Sequence, residues 1–385
     1  MTEKSEVCFV SNTTVRITNL YYDVYENQFI INNDTEQNLH YIRWHGRNNP
    51  TEVGKPMIYK QIHYNSLDET NNTNIVGITL GKNDTDTVFL ARRYSPHNFG
   101  HLLCETAVPI EYIFNSQGIN QSDRAVIFDD SSWDGFVDEN PNEHMNPENT
   151  IFWFESEGNC LVRRKQCDIQ SDRCLKPLAD TVIFGFKRYI QMYNYTSRYI
   201  KINNPVLFGI GYVSPWIRWW NDSSISHAID TLNTKIYSTY SCNNENTIQN
   251  TVTFVVKQGR RQVLNWEEVG IELKRYADNN NLLYEQINLD EVSFETQLEI
   301  MARTKTLFTN GGAASFCSLF LSKSSKVVYF PLLNCPMETE LYRHLQRFEL
   351  IEYEHYDPEW KENIMREDGS FTVSISKLQN LMANI

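Results

Sequence analysis

The chain has 385 residues, a formal net charge of −13 and an aromatic content of 13%. This length exceeds one ordinary hydrophobic core, so we expect a folded globular protein of two domains, each about 150 to 200 residues long. The acidic balance argues against nonspecific nucleic-acid binding, because that activity needs a basic surface to neutralise phosphates. Any anionic ligand must therefore meet a local basic pocket.

Targeting signals are sparse. No run approaches the roughly 18 apolar residues that span a bilayer, and residues 1–8 lack the apolar core of a signal peptide. We expect a soluble chain with no membrane span, cytoplasmic as it stands, or lumenal if an anchor or signal lies outside it. The eight cysteines fit disulfides or reduced thiols, and no Cys-x-x-Cys pair indicates a structural zinc site.

The first half predicts a less regular α/β layer with insertions. Its strand-like runs are 75–80, 87–91, 125–128, 151–154 and 181–186. Between the second and third of these runs lies a helical segment with polar and apolar faces. Two polar stretches, 203–205 and 242–250, are the best linker candidates.

The helical segment places polar side chains at spacings that share one helix face. These are His97, Asn98, His101 and Glu105, opposite the apolar Phe99, Leu102, Leu103, Ala107 and Ile110. The pattern predicts a chemical site on a rigid support. Two other interpretations stay open: a solvated helix face, and a metal site in which two imidazoles and a carboxylate bind one ion.

The second half alternates strands and helices regularly, which is typical of a doubly wound unit with a parallel sheet. Strands are predicted at 251–256, 282–287, 306–309 and 326–330. Helices are predicted at 294–302, 313–321 and 338–347, together with a stripe at Val269, Leu273, Tyr276 and Ala277.

Two turns of the second half could bind an anion. Lys257 and Arg261 follow the strand at 251–256, and cations at the carboxyl end of a strand suit a phosphate. Residues 310–313, Asn-Gly-Gly-Ala, follow another strand and precede a helix, so backbone N–H groups can approach an anion there. A solvated basic turn and a simple tight turn are the alternatives.

Aromatic side chains cluster at Trp216, Trp219 and Trp220. Such platforms stack on sugar rings, yet three tryptophans can equally fill a domain junction. We take His97, Trp216 and Trp219 as the candidates for contact with an acceptor.

Three segments together resemble glycosyltransferase family 61, with similarity from about residue 75 to 357. The first family motif, Asn-x-x-His-x-x-x-Asp/Glu followed by Pro, is similar to Asn98, His101, Glu105 and Pro109. The basic motif is similar to Lys257, Arg261, Val263, Leu264, Asn265 and Glu268, and the last motif to Gly311, Gly312, Ala313 and the Leu-Phe-Leu at 319–321. Two positions depart: the usual His falls on Gly311 and the usual Glu on Tyr329, so Asn310 is expected to supply a replacement donor.

The resemblance implies an α/β fold of the GT-B type, with two Rossmann-like domains facing each other across a cleft. We expect an N-terminal domain at 1–205 with the acceptor side and the base, a nucleotide-sugar domain at 206–345, and a tail at 346–385 that packs back on them. The activity implied is inverting transfer from a UDP-sugar, GlcNAc or xylose, to a glycan or glycoprotein hydroxyl, with no cofactor and no metal.

Roles follow from this chemistry. Glu105 is the expected base, with His101 and Asn98 beside it, because the acceptor hydroxyl must lose its proton. Lys257, Arg261, Asn265, Asn310 and residues 311–313 are expected to hold the nucleotide sugar, since the leaving diphosphate gains charge. The alternative is a degenerate transferase that binds a nucleotide or glycan and turns over nothing.

Overall fold

The computed structural model describes the chain as two compact units, Met1–Val213 and Ser214–Ile385. The residues it describes are 3–10, 14–26, 28–32, 62–64, 75–91, 99–128, 175–184, 186–192, 195, 197–208, 223–242, 247–259, 261–323, 325–330, 342–343, 345–346, 351–356 and 368–385. The predicted strand at 151–154 and most of the predicted helix at 338–347 lie outside these residues.

The first unit contains two sheets and a helical segment that connects two strands of one of them. Its strands are β1 (Glu6–Phe9), β2 (Val15–Thr18), β3 (Leu20–Asp23), β4 (Gln28–Ile31), β5 (Ile62–Tyr64), β6 (Val76–Ile78), β7 (Thr87–Ala91), β8 (Arg124–Phe128), β9 (Thr181–Phe184), β10 (Tyr199–Ile202) and β11 (Val206–Phe208). Its helices are α1 (Phe99–Leu102), a π-helical turn (Leu103–Ala107), α2 (Val108–Ser116) and α3 (Phe186–Met192), with 3₁₀ turns at Gln121–Asp123 and Lys176–Leu178.

The larger sheet of this unit has the order β1-β2-β11-β7-β8-β9, and the smaller one β5-β4-β3-β10-β6. In the larger sheet β11, β7, β8 and β9 run parallel, while β1 and β2 add an antiparallel edge. Strands β7 and β8 are buried along their whole length, as expected for parallel strands covered on both faces. The helical segment 99–116 forms the crossover between these two strands.

The second unit is a parallel α/β layer, as its sequence pattern predicts. Its elements are α4 (Ser223–Thr239), β12 (Thr251–Val255), α5 (Trp266–Asn279), β13 (Leu283–Ile287), α6 (Phe294–Arg303), β14 (Thr304–Asn310), β15 (Lys326–Phe330), β16 (Glu352–His355) and α7 (Ile375–Met382). Two 3₁₀ helices lie at Leu289–Glu291 and Ala313–Phe320. The sheet order is β13-β12-β14-β15-β16, and every adjacent pair is parallel.

Local sequence explains these elements. Strand β12 reads Thr-Val-Thr-Phe-Val and is buried throughout, while α5 buries Val269, Leu273 and Ala277 on one stripe against it. Ser293 caps the start of helix α6, because its hydroxyl accepts a hydrogen bond from the Thr296 N–H at 3.2 Å. The segment predicted as an α-helix at 313–321 is a 3₁₀ helix instead.

The unit boundary differs from the expected division at residue 205. Strand β11 pairs with β2 and β7, so residues 206–208 belong to the first unit. The expected linker at 203–205 is a turn between β10 and β11. Asn204 there is fully buried, donates to the Asn83 and Asp86 carbonyls at 2.8 and 3.1 Å, and accepts from the Leu80 N–H at 2.7 Å.

The second linker candidate, 242–250, connects α4 to β12 inside the second unit. The expected tail at 346–385 also belongs to this unit. Strand β16 extends the sheet beside β15, and α7 packs on α5, where the Gln379 amide donates to the Glu272 carboxylate at 2.8 Å. Across the described part of the chain, no helix is both long enough and apolar enough to cross a bilayer.

Candidate functional site

The strand order of the second unit marks a position for a ligand. The first strand of this unit in the chain, β12, has the second strand, β13, on one side and the third strand, β14, on the other. The strand order therefore reverses direction between β12 and β14. In open parallel sheets, ligands bind outside the carboxyl ends of the strands at such a reversal. Lys257 follows β12 at this edge, and Gly311 and Gly312 follow β14. The fold therefore brings the two predicted anion-binding turns to the same place.

Lys257 and Gly312 are in direct proximity. A Cβ atom built on Gly312 would lie 2.7 Å from the Lys257 Nζ, and the Gly312 backbone has φ of +122°. Glycine suits this position because another residue would strain the backbone, and a Cβ atom there would make the flexible ammonium group shift. The side-chain nitrogen of Lys257 thus lies against the turn that opens the 3₁₀ helix Ala313–Phe320.

Asn310 connects the same two turns from the β14 side. Its side chain is 1% exposed, and its amide Nδ2 donates a hydrogen bond to the Arg261 carbonyl. Because that carbonyl can only accept, the amide nitrogen must face it. The Asn310 Oδ1 is buried and has no hydrogen-bond partner among the described residues. We expected Asn310 to supply a hydrogen-bond donor in place of the usual His. Its Nδ2 donor already bonds to Arg261, and the group without a partner in the described part of the chain is the Oδ1 acceptor.

Arg261 has a backbone conformation that is rare for its residue type. Its φ is +62°, in the left-handed region that favours glycine, and Gly259 just before it has φ of +82°. The side chain is half-buried. Within the described ranges, no hydrogen bond or ion pair involves its guanidinium group. Arg261 is thus a half-buried cation with no carboxylate partner among the described residues, in a chain of net charge −13, and such a group suits an anionic ligand.

Asn265 has a different partner from the one expected. Its Nδ2 donates to the Val373 carbonyl at 2.9 Å and to the Glu268 carboxylate at 3.2 Å, and its Oδ1 accepts from the Val373 N–H at 2.9 Å. The Asn265 side-chain amide therefore both donates to and accepts from the backbone of Val373, as the backbone of a neighbouring strand would. The structure therefore gives Asn265 a structural contact with the C-terminus rather than an open polar group.

Tyr329, where the family pattern has Glu, lies in the core. Its ring is fully buried and lies 4.8 Å, centre to centre, from the ring of Tyr342. The Tyr342 hydroxyl donates to the Ser315 carbonyl at 3.0 Å, and Ser315 in turn donates through Oγ and N–H to the Gly312 carbonyl at 2.7 and 3.0 Å. The departure at Tyr329 thus supports the turn from beneath through packing.

The helical segment of the first unit begins soon after the carboxyl end of β7, but it is not a continuous α-helix. Residues Leu103–Ala107 form a π-helical turn, so Glu105 lies in a turn with more residues per turn than the spacing argument assumed. Single π turns inside α-helices occur frequently at functional sites. The described neighbours of His101 and Glu105, namely Gly100, Leu102, Leu103, Cys104 and Thr106, are all buried.

These buried residues include none of the four polar side chains, so the solvated-face alternative is not tested. The side chains of His101 and Glu105 themselves, and the whole of His97, Asn98, Trp216 and Trp219, lie outside the description, as does the Ala313 side chain. Searched across the described residues alone, no group of three or more His, Cys, Asp or Glu could hold a metal ion. The metal alternative at His97, His101 and Glu105 is therefore not tested by the structure.

Sequence reasoning missed a buried ion pair directly below this helix. Arg124 at the start of β8 donates through Nη1 to both Glu111 oxygens, at 3.1 and 3.0 Å, and both side chains are almost fully buried. Its other nitrogens donate to the Asn115 side chain and, twice, to the Ile119 carbonyl. The guanidinium also lies 4.6 Å from the centre of the Phe114 ring. The pair joins the first turn of α2 to the start of β8.

Comparison with known families agrees with the resemblance found in the sequence. A family model described as "Glycosyltransferase 61" matches residues 99–328, which is more than half of the chain. The match begins at the first residue of α1 and ends within β15, so it includes both the helix with Glu105 and the turns with Lys257 and Gly312. Among curated proteins, none matches the chain.

Proposed function

Because the chain belongs to glycosyltransferase family 61 and is a glycosyltransferase, we propose that it transfers a sugar from a UDP-sugar to a glycan or glycoprotein hydroxyl with inversion. The observation that supports this most is the convergence of Lys257, Arg261, Asn310 and Gly312 at the strand-order reversal between β12 and β14. We also propose the GT-B arrangement, GlcNAc or xylose as the transferred sugar, and chemistry that needs no metal or cofactor.

The proposed donor site stabilises the leaving group. As the anomeric carbon leaves the diphosphate, the electron pair of the broken C–O bond stays on the phosphate, and negative charge grows there. Lys257 and Arg261 supply cations for that charge, and Arg can hold two phosphate oxygens at once. Asn310 supports the site from within, because its Nδ2 holds the Arg261 carbonyl.

The proposed base is Glu105, oriented or assisted by His101 and Asn98. The acceptor oxygen forms its new bond to the anomeric carbon from the face opposite the diphosphate, which inverts the configuration. Its proton passes to the Glu105 carboxylate in the same step. The π-helical turn at Leu103–Ala107 supports this role, because such turns occur frequently at functional sites.

The first prediction concerns the donor nucleotide. UDP at about 100 times its dissociation constant should stabilise the wild-type protein by about 2.7 kcal/mol, because it binds only the folded state. The measurement is thermal or urea unfolding with and without UDP, repeated in excess chelator. Stabilisation that disappears with chelator would contradict the metal-independent proposal, and the absence of any shift in folded protein would contradict the donor site itself.

The second prediction concerns Arg261. We expect Arg261→Ala to weaken UDP binding by about 10- to 100-fold, the usual worth of a charge-assisted hydrogen bond. Alanine keeps a Cβ atom, so the left-handed backbone is equally strained in both proteins. Arg275→Ala is the matched control, because Arg275 is an exposed arginine of the same unit that pairs with Glu272. Calorimetric titration with UDP distinguishes them, and equal affinities in all three proteins would remove Arg261 from the site.

A further inference from the structure

The C-terminal residues 368–374 run beside the loop that carries Arg261. The Phe371 N–H donates to the Gln262 carbonyl at 3.0 Å, and the Leu264 N–H donates to the Phe371 carbonyl at 2.7 Å. Val263 and Phe371 form a parallel bridge between these two bonds. The Gln262 N–H is satisfied from the same side, because it donates to the Ser370 hydroxyl at 3.2 Å. The segment therefore pairs with the loop in the manner of an added strand.

Asn265 closes the far end of this pairing. Its side chain bonds both the N–H and the carbonyl of Val373, each at 2.9 Å, so it substitutes for the backbone where α5 begins. The burial of Phe371 and Val373 in the same hydrophobic cluster as Val263 and Leu273 adds apolar contact beneath these bonds. Residues 261–265 are thus fixed along their length to 370–373.

Gly369 brings the segment into contact with Arg261 itself. Its φ is +81°, and a Cβ atom built there would lie 3.2 Å from the Arg261 Cγ. The backbone at Gly369 therefore lies against the aliphatic stem of the arginine. A side chain at this position would be strained by the left-handed conformation and would press on that stem.

These contacts surround a residue that needs external support. An arginine in the left-handed region persists only when its surroundings determine the conformation. Here the Arg261 carbonyl is held by Asn310, the next N–H by Ser370, and the stem by Gly369. We propose that residues 368–374 are a positioning element that aims the Arg261 guanidinium at the diphosphate of the donor. This proposal rests on the donor site described above, and it adds residues beyond the family match, which ends at 328.

The experiment is a double-mutant cycle between Gly369 and Arg261, read by UDP affinity. Gly369→Ala should weaken UDP binding by about tenfold in the otherwise wild-type protein, because small displacements of a positioned group have large effects on binding and catalysis. In the Arg261→Ala background the same change should have an effect of less than about twofold, since the group it displaces is gone. Affinity for uridine, which lacks the diphosphate, should change by less than about twofold in both backgrounds.

Two further variants keep the comparison decisive. Gly118→Ala is the matched control, because Gly118 also has positive φ, at +63°, but no atom lies within 4 Å of a Cβ placed there. It should strain the backbone similarly and leave UDP affinity unchanged. Ser370→Ala, which removes only the hydroxyl that accepts from Gln262, replaces Gly369→Ala in the cycle if that variant does not fold.

The outcomes separate the two proposals. If wild type binds UDP and Arg261→Ala weakens it, but Gly369→Ala or Ser370→Ala has equal effects in both backgrounds or none, the positioning role is overturned and the donor site stands. A parallel loss of uridine affinity would also overturn it, because that result marks general damage to the site. If wild type does not bind UDP, the donor site is overturned and the positioning role with it.

Discussion

Glu105→Gln is expected to lower the rate of sugar transfer by about 10²- to 10⁴-fold, the usual contribution of a positioned general base. Glutamine keeps the size and much of the hydrogen bonding of glutamate, but it cannot take the acceptor proton. Folding and UDP affinity should therefore stay near their wild-type values, since the donor nucleotide is assigned to the other unit. Transfer rate, UDP affinity and melting temperature are to be measured on the same preparation.

A second glutamate on the same helical segment provides the control. Glu111 is fully buried, and both of its oxygens accept from Arg124. Glu111→Gln should lower stability while leaving the transfer rate of the folded fraction within a few-fold of wild type, the opposite pattern to Glu105→Gln. If Glu105→Gln instead loses stability and keeps its rate, Glu105 is a structural carboxylate, and His101 becomes the next candidate for the base.

The second large effect is expected at Arg124. Replacement by methionine, which has a similar length but no charge, should reduce the free energy of unfolding by about 3–5 kcal/mol, because it leaves the Glu111 carboxylate buried without its cation. The Asn115 side chain and the Ile119 carbonyl lose donors in the same variant. Urea unfolding of the first unit measures the loss.

The double variant Arg124→Met with Glu111→Leu makes this prediction specific. It removes both charges at once and should recover the part of the loss that comes from the buried unpaired carboxylate, since an apolar pair needs no partner in the interior. Arg303→Met is the matched control, because its pair with Glu285 is partly exposed, and it should cost about 1 kcal/mol or less. A loss of similar size for Arg124→Met and Arg303→Met would show that burial adds nothing to the pair.

The second unit could be predicted closely from sequence, for a physical reason. Its central strands are covered on both faces, so each gives an unbroken apolar or β-branched run such as 251–255. The helix between the first two strands shows its stripe at Val269, Leu273 and Ala277 because one face meets that sheet. The strand at 352–355 was missed, since it is an edge strand with charged residues alternating along it.

The first unit was less predictable because its early strands are short and their partners are distant in sequence. Strands β1 to β4 have four residues each, too few to show a period of two. Strand β2 pairs with β11, and β3 with β10, across most of the unit. Such pairing is a property of tertiary structure. The turn at 203–205 therefore read as a polar linker, although its central residue, Asn204, is fully buried.

The candidate donor site could likewise be predicted from the sequence only in part. Lys257, Arg261 and Gly312 could be grouped in advance because turns after neighbouring parallel strands meet at one edge of a sheet. The direction of a side-chain amide could not be predicted, and Asn265 and Asn310 both bond to backbone groups. At the C-terminal positioning element, the turn sequence Asp-Gly-Ser before the alternating Phe-Thr-Val-Ser-Ile indicates an extended segment. Nothing in this stretch indicates that the segment pairs with the loop that carries Arg261.

The left-handed backbone at Arg261 sets the stability of the protein against the proposed donor-binding role of this residue. Among the described residues, the other non-glycine positions with positive φ are Asn19, Ser241 and Asn281, all with short polar side chains. The conformation costs an arginine about 1–2 kcal/mol relative to glycine. Selection of this chain for heat resistance alone would therefore favour glycine at 261. The resulting protein would be more stable but would lack the side chain that we propose binds the diphosphate.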